Sequence, residues 1–190
     1  MKFRRGFKAE AERISTEIRG ELDLDADQKL NPMELAEHLA IPVLSMREAS
    51  KISPTNGFYA YFSMTDQDSF SAVTIFIGHK RLIVHNESHH PNRQASNLSH
   101  EVSHTVLEHK PAPVMDSNGQ RFWNAEVEQE ANWLAAALLI PREAAVQMLK
   151  QDWTISDIAA HFGVSEALCR WRLQQSGANQ QVLRWSRYRN

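Results

Sequence analysis

Residues 100–104 read His-Glu-Val-Ser-His, inside the longer run SNLSHEVSHTVLEH at 96–109. The chain carries nine histidines in 190 residues, so the pattern must be weighed against chance. On a helix, residues i and i+4 share a face about 6 Å apart along the axis. Two imidazoles placed that way converge on one Zn²⁺ at about 2.0–2.1 Å from each nitrogen. Glu101 stands about 100° round the helix from His100. It is displaced for a third ligand but reaches a water at the metal. The expected division of labour is that His100 and His104 hold zinc, zinc acidifies water, and the Glu101 carboxylate takes the proton as water attacks a carbonyl. The bland alternative is a solvated amphipathic helix with two histidines on one face.

A third ligand separates the two. His109 follows His104 by five residues, and Leu107 stands where the metzincin pattern needs glycine, so that pattern fails. The acidic stretch EVEQEAN at 126–132 offers more. Glu128 and Asn132 are four apart, which puts a carboxylate ligand and an outer amide on one helical face. Asn132 is then placed to accept the N–H of His100 or His104 and fix its tautomer. Glu126 and Glu130 compete for the ligand role; otherwise they are acids in a first helical turn, where the dipole favours them. Three protein ligands and a water position would make a catalytic site rather than a closed structural one. Oxyanion stabilisation has candidates in Tyr59, Tyr61, His85, His89, His90 and Arg93, with Tyr59 and the loop histidines first.

Composition sets the frame. Hydrophobic residues are 42% and charged residues 23%, ordinary for a globular domain with its own core. The net charge of −2 gives no global pull toward nucleic acid or membrane. The single Cys169 forms no internal disulfide, so a reducing, cytoplasmic compartment is expected. No apolar run is long enough for a membrane span, and the basic start MKFRRGFKAEAERISTEIRGEL lacks the apolar block of a signal peptide.

Along the chain, Phe3, Phe7, Ala11, Ile14 and Ile18 make a helical stripe over 3–20. Asn31 and Pro32 open a short second helix, which Pro42 ends. GFYAYFSM (57–64), SAVTIFIG (71–78) and RLIVH (81–85) predict strands, with a hairpin turn at GHK (78–80). NESHHPNRQ (86–94) reads as a polar loop. Helices are expected from Asn92 to Glu108, over EVEQEANWLAAALLI (126–140), and from Pro141. Residues 152–176 show helix-turn-helix spacing: Ile155, Ile158 and Ala159, then the turn at Gly163, then a Ser165 N-cap. The recognition helix would present Glu166, Arg170, Arg172, Gln174 and Gln175. Two arginines are thin for phosphate neutralisation, and the basic end (Arg184, Arg187, Arg189) is more often only solvated. Domains are drawn at 1–150 and 151–190.

Several stretches together resemble the ImmA/IrrE family of metallo-endopeptidases. They are GFKAEAERISTEIRGEL (6–22), LIVHNESHHPNRQASNLSHEVSHTVLEH (82–109), EVEQEANWLAAALLIP (126–141) and ISDIAAHFGVSEALCRWRL (155–173). The resemblance implies an α+β, zincin-like fold: a small twisted, mainly antiparallel sheet beside the HExxH helix, with a C-terminal helix-turn-helix-like unit. It implies Zn²⁺ on His100, His104 and Glu128, with Glu101 as base. It also implies a protein substrate, a helix-turn-helix repressor whose cleavage relieves repression. One departure is Ser103, where the family has glycine, a residue that would crowd a close helix–sheet contact. The competing functions are a DNA- or protein-binding regulator with a peptidase-like fold and little catalysis, and a protein that uses zinc only to hold its fold.

Overall fold

The computed structural model describes residues 3–52, 70–78, 80–110 and 124–189. The elements in chain order are α1 (Phe7–Glu21), α2 (Pro32–His38), β1 (Val43–Ser45), α3 (Met46–Ile52), β2 (Ala72–Ile77), β3 (Lys80–His85), α4 (Pro91–Val106), α5 (Ala125–Leu139), α6 (Arg142–Lys150), α7 (Ile155–Phe162), α8 (Glu166–Gln175) and α9 (Ala178–Arg189). The class is α+β. The predicted strand over 57–64 falls outside the described residues.

The sheet has the order β1-β3-β2. β2 and β3 form an antiparallel hairpin with Ile77 opposite Lys80, and Gly78 takes φ 63° to turn the chain, a conformation glycine adopts without a Cβ clash. β1 joins β3 in parallel, Val43 opposite Ile83. The described sheet is therefore mixed, with the antiparallel β2–β3 pairing its longer part. β1 and α3 had no sequence signal, because three strand residues and two helical turns are too short to show a period.

α5 sits at the centre. Ala131 and every residue from Trp133 to Leu139 are buried, so the helix is apolar nearly all round and must be packed on several sides. α4 and α1 lie against it, and α8 meets its far end. Its last carbonyls are capped from elsewhere in the chain. Ser15 Oγ donates to Ala137 O (2.8 Å), Arg19 Nη2 to Leu138 O (2.8 Å) and Arg172 Nε to Ile140 O (2.9 Å). These bonds satisfy groups that a helix end leaves without partners, and the two guanidiniums suit the negative end of the dipole. Burial of Arg19 pulls its pKa down to about 10, against the opposing charge of Asp27.

Two apolar clusters fill the interior. One joins Phe7, Ala11, Leu35, Ile83, Leu98, Val102, Leu134 and Leu138. The other begins at Leu139 and Ile140 and runs through Met148, Ile158, Phe162, Val164, Cys169 and Leu173 to Ala178. α7 and α8 are joined by a short turn at Gly163. Thr154 and Asp157 make a capping box, Gly163 turns at φ 66°, and Ser165 Oγ accepts from Leu168 N. Arg172 does not face outward as expected. It is fully buried, and its Nη2 donates to both oxygens of Glu12 on α1 at 2.7 and 2.8 Å. No helix among the described residues is long and apolar enough to cross a membrane.

Candidate metal centre

α4 owes its position to its apolar stripe. Leu98 and Val102 are buried and Val106 packs beside them, which leaves the neighbouring stripe, His100 and His104, to face α5. Pro91 occupies the first turn, where a missing N–H costs nothing, and His90 caps it by accepting from Asn92 N at 3.2 Å. Ser103 is fully buried, and its Oγ donates to Ser99 O at 2.7 Å. The hydroxyl satisfies itself within its own helix, so a serine is accommodated at the close contact.

α5 brings the acidic partners. Asn124 caps it by accepting from Glu126 N (3.1 Å) and Val127 N (3.3 Å). One turn in, Glu128 faces α4, and Asn132 follows on the same face. The two Nε2 atoms of His100 and His104 lie 3.0 Å apart. Glu128 Oε2 is 3.2 Å from His100 Nε2, and Oε1 is 3.7 Å from His104 Nε2. Asn132 Oδ1 sits 3.0 Å from His100 Nδ1 and so holds the ring from behind.

The donor set fits a divalent metal. His100, His104 and Glu128 form the one such group among the described residues, with all ligand atoms within 4.8 Å of one another. A tetrahedral zinc with bonds of about 2.0–2.1 Å spaces its donors about 3.3 Å apart. The observed separations of 3.0, 3.2 and 3.7 Å straddle that value. Side-chain exposures of 21, 16 and 23% leave the group within reach of solvent.

Charge is balanced inside the group. Hydrogen bonds from His100, then from His104, pull the Glu128 carboxyl down to about 2, against the upward push of its burial. Burial alone would push the His100 pKa down. The Glu128 hydrogen bond, the charges of Glu101 and Glu128, and Asn132 outweigh that and raise it.

Glu101 projects from α4 toward the sheet. Thr74 Oγ1 on β2 donates to Glu101 Oε2 at 2.5 Å. Oε1 has no partner among the described residues. Arg81 on β3 pins the end of the same helix, with Nη1 donating to His104 O and Thr105 Oγ1, both at 3.2 Å. Thr74, Arg81 and Phe76 belong to one face of the hairpin by strand alternation. The sequence carried that alternation but not which face meets α4.

The remaining site candidates separate. Tyr59 and Tyr61 lie outside the described residues. His85 is buried at the end of β3, and that burial lowers its pKa despite the charges of Glu87 and Glu48. His89 is buried beside Asn86 and Asn97. Arg93 Nη2 donates to Ser71 Oγ. Of the competing carboxylates, Glu130 pairs with Arg4 and His109, and Glu126 is exposed at the start of α5.

A peptidase family model described as IrrE N-terminal-like domain matches residues 54–174, more than half of the chain. The chain belongs to this family. Membership supports a metallopeptidase role, and the metal dependence of such peptidases agrees with the His-His-Glu group. The IrrE-like match spans the hairpin, α4, α5 and the α7–α8 pair alike. A comparison with curated proteins finds no match.

Proposed function

We propose that the chain is a zinc-dependent endopeptidase that cuts a regulatory protein, a helix-turn-helix repressor, and so relieves repression. The observation that carries the reading is the convergence of His100, His104 and Glu128 next to a glutamate that a threonine already holds. Two imidazoles and one carboxylate suit zinc. Zinc held there would supply Lewis acidity, polarising a carbonyl and lowering the pKa of bound water toward neutrality.

The chain's own residues do the rest. Asn132 keeps the His100 proton on Nδ1 and its Nε2 toward the metal position. Thr74 occupies Oε2 of Glu101, which leaves Oε1 to take the proton of the attacking water and return it to the leaving amine. A site built only to hold the fold needs no such base. Against the alternative of a DNA-binding regulator stands Arg172, whose guanidinium is committed to Glu12 and not to phosphate.

The test is co-expression with a helix-turn-helix repressor encoded beside the protein. Native chain and Glu101→Gln are compared by mass spectrometry of the repressor and by bound zinc. Cleavage by the native chain alone, with equal zinc in both, supports the peptidase. An intact repressor with both, together with unchanged regulation in cells, supports the binding module.

A further inference from the structure

His100 is held from behind by Asn132, but His104 has a different partner. His104 Nδ1 lies 3.0 Å from Nδ1 of His109, with the rings edge-on at 5.0 Å and 68°. The chain is bent to make this contact. Glu108 takes φ 54°, a left-handed conformation unusual for a side chain with a Cβ. His109 N donates back to His104 O at 2.9 Å, and Arg81 Nη2 reaches His109 O at 3.4 Å. On its far side, His109 Nε2 is 3.6 Å from Glu130 Oε2. Glu130 Oε1 is 3.3 Å from Arg4 Nε, and Arg4 also pairs with Glu10 at 2.6 Å. His109 and Glu130 are largely shielded, at 10 and 14% side-chain exposure.

We infer that His109 is a positioning residue for His104: it accepts the Nδ1–H of His104, turns its own Nε2–H toward Glu130, and so aims His104 Nε2 at the metal. The inference rests on the metal reading of His100, His104 and Glu128. An imidazole that offers Nε2 to a metal carries its proton on Nδ1, and that proton needs an acceptor. Most such histidines use a carboxylate, a carbonyl or water. Here a second imidazole stands between the ligand and the carboxylate, and the Glu130 charge, 3.6 Å from His109 Nε2, polarises it electrostatically. Arg4 holds Glu130 in that outer place, which also keeps this carboxylate off the metal. The pair His109–Glu130 thus serves His104 as Asn132 serves His100.

The experiment measures zinc affinity of the full chain by competition with a chromophoric chelator, alongside the melting temperature of the metal-free protein. His109→Phe removes the acceptor and is expected to weaken zinc binding on the order of 10–100-fold. His109→Gln keeps an acceptor oxygen and recovers most of that loss. The metal-free melting temperature stays close to that of the parent in both. Glu130→Gln, which leaves His109 intact, weakens binding several-fold and carries the test if His109→Phe does not fold. Unchanged affinity in His109→Phe, or in Glu130→Gln where the first variant does not fold, overturns the inference. So does a His109→Gln variant as weak as the Phe variant, since that would make His109 a ligand or a packing residue. A parent chain that binds no zinc removes the underlying metal reading, and this inference with it.

Discussion

Thr74 on β2 and Glu101 on α4 are joined by a hydrogen bond of 2.5 Å from Oγ1 to Oε2. The bond ties the sheet to the helix at a carboxylate that neighbours the candidate metal donors without being one of them. Hydrogen bonds to a charged acceptor are worth about 1.5–3 kcal/mol. Thr74→Val keeps the β-branched shape and removes the donor. Turnover is expected to fall roughly 10–100-fold by that range, with zinc content and melting temperature close to the parent's. Steady-state cleavage rates and metal analysis on one preparation check this; an unaffected rate would separate Thr74 from the base.

Glu126, Glu128 and Asn132 on α5 occupy different places, and substitution should rank them. Glu128→Gln removes the charged donor that lies 3.2 Å from His100 and is expected to abolish tight zinc binding. Glu126→Gln, at an exposed position, leaves zinc binding and cleavage as in the parent. Asn132→Ala frees the back of the His100 ring and weakens zinc on the order of 10–100-fold. Metal content after dialysis against a weak chelator distinguishes the three.

The metal-free protein should be most stabilised by its His–Glu128 contacts at mildly acid pH. Glu128 is depressed from 4.5 to about 2, so its contribution is full above 4.5 and is lost as pH falls toward 2. His100 is raised from 6.5, so its contribution is full below 6.5 and is lost as pH rises through the raised value. Both are present between 4.5 and 6.5. Zinc loading runs the other way, weakening as pH falls, because each imidazole must shed its proton to bind. Melting curves with and without zinc at pH 5.5 and 8 test both signs. Glu128→Gln should erase the acid-side gain of the metal-free form.

The Glu12–Arg172 pair links α1 to α8 across 160 residues of sequence. Arg172 has no exposure, and burial lowers its pKa against the charge of Glu12. Removing one partner of a buried pair costs about 3–5 kcal/mol. Glu12→Ala should therefore lower the melting temperature by roughly ten degrees for a chain this size. Glu17→Gln breaks the exposed Arg13–Glu17 pair on the same helix and should move it by no more than about a degree, because solvent screens that pair. Equal shifts in the two variants would contradict the buried role of Arg172.

The face of α4 that carries His100 and His104 was legible because it is local. Spacing by four is written into helix geometry, so His100 and His104 share a face wherever that helix sits, and Glu128 and Asn132 share one on α5. Leu98 and Val102 marked the buried side of α4 for the same reason. The two short helices of 152–176 and the turn at Gly163 between them were equally local. Contacts made across long separations were not legible. Strand alternation grouped Thr74 with Ala72 and Phe76 without saying that this face meets Glu101. Arg172 has the same one-letter neighbours whether it points to phosphate or to Glu12. His109 missed the spacing of a third ligand, and only the left-handed turn at Glu108 returned it to the back of His104. Periodicity assigns residues to faces of single elements; which faces meet is decided by how all the apolar surfaces are buried at once, and that exists only in the folded chain.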